Sequence, residues 1–186
     1  MAGHADRRWV ALLRAVNVGG RGVVKMADVR QAFESVDCRN VTTYVQSGNV
    51  VFDASDARSA RAALARRIED GLEHHCGVRS TPFLLSPEEL RAAAQGNPFD
   101  PQRHAARQQC HVVFLSGRPA RSHIDTLLAA QGDDYRFAVD GAVCYMTYAR
   151  DTAGRRRAVD IERILGVSAT ARTWKVVDAL VDLAER

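Results

Sequence analysis

Apolar residues in the first part of the chain fall into one short run and two helical patterns. Residues 9–16 form a β-prone apolar run, interrupted by Arg14, which predicts a buried strand. Apolar side chains recur at spacings of three and four over residues 25–36, and four apart over residues 57–76. These spacings predict two amphipathic helices, the second of which ends at Gly77.

A hairpin is predicted between these two helices. Residues 41–53 contain two β-rich runs separated by Ser47 and Gly48, which suit a tight turn. Residues 78–85 then return as a strand. The resulting order, β-α-β-β-α-β, is the ferredoxin-like plan that RNA-recognition motifs also have.

A short connecting helix is predicted after this first half. Ser86 is a favourable N-cap, Pro87 suits the first helical position, and Glu89 completes a capping box. The two prolines within residues 97–101 then interrupt regular structure. We therefore expect a connecting helix and loop between two larger parts of the chain.

The same plan is predicted a second time. Asp140 and Gly141 form a strong turn dipeptide between two β-prone runs. The remaining elements are a strand at 110–115, helices at 122–131, 158–165 and 174–184, and hairpin strands at 135–139 and 142–148. The predicted fold class is α+β with two packed ferredoxin-like (RRM-like) subdomains. Their boundaries are residues 1–86 and 102–186, and residues 87–101 connect them.

Composition favours a globular protein outside the membrane. Hydrophobic residues make up 46% of the 186 residues and charged residues 26%, which is enough for a core. No apolar run approaches the roughly 20 residues that span a bilayer, and Arg14 interrupts the only candidate for a signal peptide. The four cysteines form no CxxC motif, so we expect reduced thiols and a cytoplasmic location.

Positive charge is present but dispersed. The net charge is +4 and the pI is about 9.1, which is typical of nucleic-acid binding only where the charge is clustered. The net charges of residues 1–50, 51–100, 101–150 and 151–186 are +3, −2, +2 and +1. Charge alone therefore gives only weak support for a nucleic-acid partner.

Several short segments, in a fixed order, carry a resemblance to a known family. They are ALLRAVNVGG (11–20), VKMADVR (24–30), TYVQSGNVVF (43–52), NPF (97–99), HVVFLSG (111–117) and TARTW (170–174). Over essentially the whole chain they closely resemble the bacterial family catalogued as domain of unknown function sixteen-ninety-seven. The resemblance implies a pair of ferredoxin-like subdomains and no established activity. The chain departs from the family pattern at Ala15, usually Gly, and at Thr173 and Lys175, usually Asn.

Polar residues around the first strand and the first hairpin form the principal candidate site. Glycines after the strand can expose backbone N–H groups to an anion, and the hairpin can bring side-chain amides close to them. The alternative is structural: the amides pin a loop, and Arg14 caps carbonyl groups. The candidate ligand-binding residues are Arg14, Asn17, Gly19, Gly20, Lys25, Gln46 and Asn49, with Arg172 and Trp174 as secondary candidates.

Other kinds of chemistry find little support in the sequence. His74, His75 and Cys76 are adjacent on a helix, where neighbouring side chains point about 100° apart, so no metal site is expected. Ser47 does not lie in a GxSxG elbow, and no nucleotide-cofactor motif is present. We therefore expect no cofactor, and the sequence defines no catalytic residue.

Nucleic-acid binding by base stacking is also weakly supported. Tyr145 and Tyr148 can be exposed, but strand alternation places them on opposite faces. A basic C-terminal surface is another candidate, formed by Arg155, Arg156, Arg157, Arg163, Arg172 and Lys175.

Three functions remain open at this point. The leading hypothesis is a protein that binds an anionic ligand, either nucleic acid or a nucleotide. The alternatives are an enzyme acting on a small phosphorylated or carboxylated metabolite and a protein-interaction module.

Overall fold

The chain divides into two compact units. Unit 1 comprises residues 1–90 and 180–186, and unit 2 comprises residues 91–179. A computed structural model describes residues 6–14, 16–17, 23–55, 61–99, 108–132, 135–149 and 159–186, without the side chains of Gln108 and Ala149.

Unit 1 contains a four-stranded antiparallel sheet whose strand order is β2-β3-β1-β4. Its strands are β1 (Asp6–Leu12), β2 (Arg39–Tyr44), β3 (Asn49–Ser55) and β4 (Phe83–Leu85). Its helices are α1 (Met26–Glu34) and α2 (Arg61–Cys76), and α3 (Pro87–Gln95) begins at its end. The order of elements and the order of strands are those of a ferredoxin-like fold.

The core of unit 1 lies between the sheet and its two helices. Leu64, Ile68 and Leu72 are spaced four apart on α2 and are buried, as the apolar pattern predicts. A Cβ at Gly71 would lie 2.7 Å from the carbonyl oxygen of Ala32 on α1. A side chain at this point would therefore force the helices apart, since protein interiors are close-packed.

The start of α3 confirms the predicted capping box. The Glu89 N–H donates to Ser86 Oγ at 3.2 Å, and the Ser86 N–H donates to Glu89 Oε2 at 2.9 Å. Pro87 is the first helical residue, where its missing N–H costs no helical hydrogen bond. Local sequence is therefore sufficient to start this helix.

Unit 2 repeats the arrangement with a second four-stranded antiparallel sheet, in the order β6-β7-β5-β8. Its strands are β5 (Gln108–Leu115), β6 (Tyr135–Asp140), β7 (Val143–Ala149) and β8 (Ala169–Thr173). Its helices are α4 (Arg121–Ala129) and α5 (Ile161–Leu165), and α6 (Trp174–Ala184) follows β8. The two sheets have the same relative order, which confirms the expectation of two ferredoxin-like subdomains.

Two strands differ from the sequence prediction. Strand β8 was not predicted, because its sequence ATART has no large apolar side chain; its pairing with β5 makes it a strand. Strand β4 begins at Phe83, later than the predicted start at Val78.

The expectation that Tyr145 can be exposed is wrong. Its side chain is 2% exposed, and its hydroxyl donates to the carbonyl oxygen of Ala93 at 3.0 Å. The unexposed ring cannot stack on a nucleic-acid base.

None of the helices in the described ranges is long and apolar enough to cross a membrane.

Candidate functional site

The end of β1 is tied to the neighbouring segments of unit 1. The Leu13 N–H donates to the carbonyl oxygen of Gly48 at 2.7 Å, which joins the strand to the hairpin turn. The Arg14 N–H donates to Ser80 Oγ at 2.9 Å, and that hydroxyl donates to the Arg14 carbonyl oxygen at 2.8 Å. These bonds fix the backbone of Arg14, whose side chain is half-buried at this end of the sheet.

Asn17 connects three backbone segments through one side chain. Its Nδ2 donates to the carbonyl oxygens of Val24 at 3.0 Å and Gln46 at 2.8 Å. Its Oδ1 accepts a 2.7 Å hydrogen bond from the Val24 N–H. The backbone φ of Asn17 is 56°, a left-handed conformation that Asn tolerates better than most residues. The loop after β1, the segment before α1 and the hairpin turn therefore meet at Asn17, and we call this meeting point the Asn17 junction.

The hairpin turn at residues 45–48 is stabilised by the buried side chain of Asn49. This side chain is 0% exposed, and its Nδ2 donates to the Tyr44 carbonyl oxygen at 3.1 Å and to Ser47 Oγ at 3.0 Å. A buried amide used in this way satisfies turn groups that would otherwise lack partners. Asn49 therefore supports the turn, and we do not include it among the groups that face a ligand.

Lys25 and Gln46 are the exposed polar residues beside the junction. Lys25 is the N-cap of α1, with an extended backbone and no side-chain capping hydrogen bond. The first N–H groups of a helix lack intrahelical partners and carry partial positive charge. Asp28 also lies in this first turn. Burial raises the pKa of the Cys76 thiol at the end of α2, and the negative charge of Asp28 raises it further.

The structure brings four of the principal candidates to one end of the first sheet. Backbone and side-chain hydrogen bonds connect their segments directly. These four are Arg14, Asn17, Lys25 and Gln46. Gly19 and Gly20 lie outside the described residues.

The secondary candidates lie in unit 2. Arg172 on β8 is only 8% exposed, and its Nη1 donates to Thr170 Oγ1 at 2.9 Å and to the Ala171 carbonyl oxygen at 2.8 Å. Burial lowers the pKa of the guanidinium to about 10. Trp174 is half-buried at the start of α6. Arg172 is therefore held inside its own sheet and adds no charge to an exposed basic surface.

The rest of the predicted basic C-terminal surface is only partly described. Arg163 and Lys175 are exposed, and Arg163 lies 3.9 Å from an Asp160 carboxylate oxygen. Residues 155–157 lie outside the described residues.

Sequence reasoning missed a polar aromatic cluster on the second sheet. The rings of His111 and Tyr148 are stacked, with centroids 5.4 Å apart, and the Tyr148 hydroxyl donates to Gln109 Oε1 at 2.8 Å. Burial lowers the pKa of His111, whose Nδ1 has no hydrogen-bond partner among the described residues. The pairing of β5 with β7 brings these side chains together, and no local motif indicates it.

Within the described part of the chain, no group of three or more His, Cys, Asp or Glu residues is placed to hold a metal ion.

Comparisons with known proteins bear on the family and the fold. A solved structure of a conserved bacterial protein from Streptococcus pneumoniae matches 98% of this chain and 100% of its own, with a TM-score of 0.75 and 23% identity. At that identity the likeness supports the fold alone. No curated protein matches significantly. The model of the family DUF1697, described as a protein of unknown function, matches residues 7–145. The chain therefore belongs to the DUF1697 family, as its sequence motifs predict.

Proposed function

We propose that this protein binds an anionic small molecule through a phosphate group at the Asn17 junction. The observation that carries the proposal is the Asn17 carboxamide, which bonds both Val24 and Gln46. It holds the start of α1 against the hairpin turn. Lys25 follows Val24 directly, so its backbone is close to the Gln46 carbonyl group at this end of the sheet.

The electrostatics of the junction favour an anion. Lys25 contributes a full positive charge, and Arg14 adds another from the end of β1. The N-terminus of α1 adds partial positive charge from its first N–H groups, which the Asp28 carboxylate in the same turn offsets in part. Helix N-termini with neighbouring cations stabilise phosphate groups.

The buried faces of the sheets argue for a small ligand over a nucleic acid laid across a sheet. RNA-recognition motifs bind RNA on exposed aromatic side chains of the central strands. Here the central strands of unit 1 carry the buried aliphatic residues Val10, Leu12 and Val51, and Trp9 is 1% exposed. In unit 2, Tyr145 is buried as well. A compact phosphate compound at one end of the sheet suits these surfaces better.

Isothermal titration calorimetry of the full chain with inorganic pyrophosphate and ribose 5-phosphate tests the proposal. Lys25→Gln should weaken the binding of either compound about tenfold, the loss expected for one charge-assisted contact. Lys175→Gln is the matched control, because Lys175 is the only other lysine and is also exposed. The control should bind as the unchanged protein does.

Two results would contradict the proposal. Failure of both compounds to bind at millimolar concentration would remove the phosphate site. Equal losses in the two lysine variants would show nonspecific attraction instead. A parallel titration with single-stranded RNA at several salt concentrations covers the remaining alternative: a steep salt dependence, without binding of the small compounds, would favour nucleic acid.

A further inference from the structure

The two exposed large apolar side chains among the described residues both lie beside the Asn17 junction. Val23 is 78% exposed and Val45 is 51% exposed. Each precedes a residue, Val24 or Gln46, whose carbonyl oxygen accepts a hydrogen bond from Asn17 Nδ2. Two oxygens bonded to one nitrogen lie within about 6 Å of each other. The backbone segments that carry the two valines therefore meet at the Asn17 side chain.

Val45 is also held in an unfavourable backbone conformation. Its φ is 50°, which is an outlier for a β-branched residue and is easily adopted by Gly or Asn. Because half of the side chain is exposed, burial offsets little of this strain. Strained residues that persist at a surface tend to cluster at ligand sites.

The apolar pair has positive charge next to it. Lys25 is two residues from Val23 and exposed. Arg14 follows Leu13, whose N–H bonds the Gly48 carbonyl oxygen of the turn that contains Val45. Apolar surface beside a cation suits a ligand in which a flat ring is linked to a phosphate.

We propose that Val23 and Val45 contact the base of a nucleoside monophosphate whose phosphate is bound near Lys25. This inference rests on the phosphate site proposed above and defines the class of its ligand. A sugar phosphate without a base fills only the charged half of the site. Contact with two valine side chains should make a nucleotide about tenfold tighter, given the usual gain per unit of apolar area buried.

Calorimetry on the full chain can separate the two halves of the site. The four common ribonucleoside monophosphates are compared with ribose 5-phosphate, which has the same sugar and phosphate and lacks only the base. The tightest nucleotide should bind about tenfold more strongly than ribose 5-phosphate.

Variants of the two valines test which residues provide this preference. Val45→Asn should raise the melting temperature, because Asn tolerates the left-handed backbone, and should weaken nucleotide binding about fivefold. Val23→Ser should weaken nucleotide binding similarly, whereas Val23→Ile should preserve it. Binding of ribose 5-phosphate should be unchanged in all three variants.

Three negative outcomes would each reject a different part of the two proposals. If ribose 5-phosphate binds and no nucleotide binds more than about threefold tighter, the base contact is wrong and the phosphate site stands. If neither class binds at millimolar concentration, both proposals are wrong. If a nucleotide is preferred and the preference survives in both Val23→Ser and Val45→Asn, the base lies elsewhere and the role of the valines is rejected.

Discussion

The same backbone hydrogen bond follows the first strand of each sheet, but the segments that continue from that point are longer in unit 1. In unit 1 the Leu13 N–H donates to the Gly48 carbonyl oxygen at 2.7 Å, and in unit 2 the Leu115 N–H donates to the Ala142 carbonyl oxygen at 2.9 Å. The next residue along bonds a serine in both units. Arg14 bonds Ser80, whereas Ser116 bonds Ser168 through a 2.8 Å backbone hydrogen bond.

The hairpin turn and the segment between the first strand and the first helix are both longer in unit 1 than in unit 2. Its hairpin turn runs over residues 45–48, whereas the turn of unit 2 consists of residues 141–142. Residues 13–25 separate β1 from α1, but only residues 116–120 separate β5 from α4. The second sheet has the same strand order without the longer segments, so the ferredoxin-like fold does not require them. This difference is a further reason to propose a ligand site in unit 1.

The two turn glycines should give the largest difference in stability. A Cβ at Gly48, where φ is 72°, would lie 2.8 Å from Leu13 Cβ; at Gly141, where φ is 57°, the nearest atom is 3.9 Å away. Gly48→Ala should lower the free energy of unfolding by about 3 kcal/mol, through backbone strain and the clash. Gly141→Ala should cost about 1 kcal/mol, from backbone strain alone. Urea titrations followed by circular dichroism measure both.

Thiol labelling assigns each loss to a unit. Cys38 in unit 1 and Cys144 in unit 2 are buried, and burial raises the pKa of each thiol to about 12. Labelling therefore requires the unit to open. Gly48→Ala should speed labelling of Cys38 more than that of Cys144. The reverse order would contradict the local clash as the cause.

The Asn17 junction should show the next largest effect. Asn17→Ala removes three hydrogen bonds to Val24 and Gln46, which should cost about 2 kcal/mol of unfolding free energy. Ser116→Ala removes one exposed hydrogen bond, from the Ser168 N–H at 3.1 Å, and should cost less than about 1 kcal/mol. Hydrogen exchange at the Val24 amide should quicken only in Asn17→Ala. Equal costs in the two variants would mean that the junction adds no rigidity.

The smallest effect should be a pH dependence specific to unit 2. Burial lowers the pKa of His111 from its ordinary value of 6.5, so the unfolded chain takes up the proton first. The contribution of neutral His111 to stability is complete above pH 6.5 and is lost as the pH falls from there to the lower folded pKa. His111→Phe, which retains the stacking on Tyr148, should remove up to about 1.4 kcal/mol per pH unit of this slope.

Unfolding titrations between pH 5 and 8 on the unchanged protein and on His111→Phe measure the slopes. A slope that persists in His111→Phe would assign the pH dependence to another group.

Elements with local signals could be predicted from the sequence. The capping box at Ser86 and Glu89 and the helix-ending Gly77, where φ is 63°, depend on residues a few positions apart. The apolar spacing of α2 likewise repeats within one helix. Strand β8 had no such signal, because Ala171 and its neighbours gain strand structure only through pairing with β5.

The sequence indicated which segments carry the polar residues of the candidate site, but not the role of every side chain. The turn role of Asn49 is local, because its buried side chain bonds Tyr44 and Ser47, five and two positions away. The role of Asn17 could not be inferred from local sequence, since its side chain bonds Gln46, 29 positions along the chain. The exposure of the Gln46 side chain likewise depends on the folded structure.

The sequence by itself determined the family, the repeated ferredoxin-like plan except for strand β8, and the positions of the capped and apolar-spaced helices. These follow from short-range patterns and from motifs in a fixed order. Only the tertiary structure decided that Arg172 is buried, that Tyr145 is covered and that the segments before Lys25 and around Gln46 meet at the Asn17 side chain. The burial of a side chain depends on which strands pair, and the meeting of two segments depends on hydrogen bonds between distant residues. A single local stretch of sequence determines neither of these.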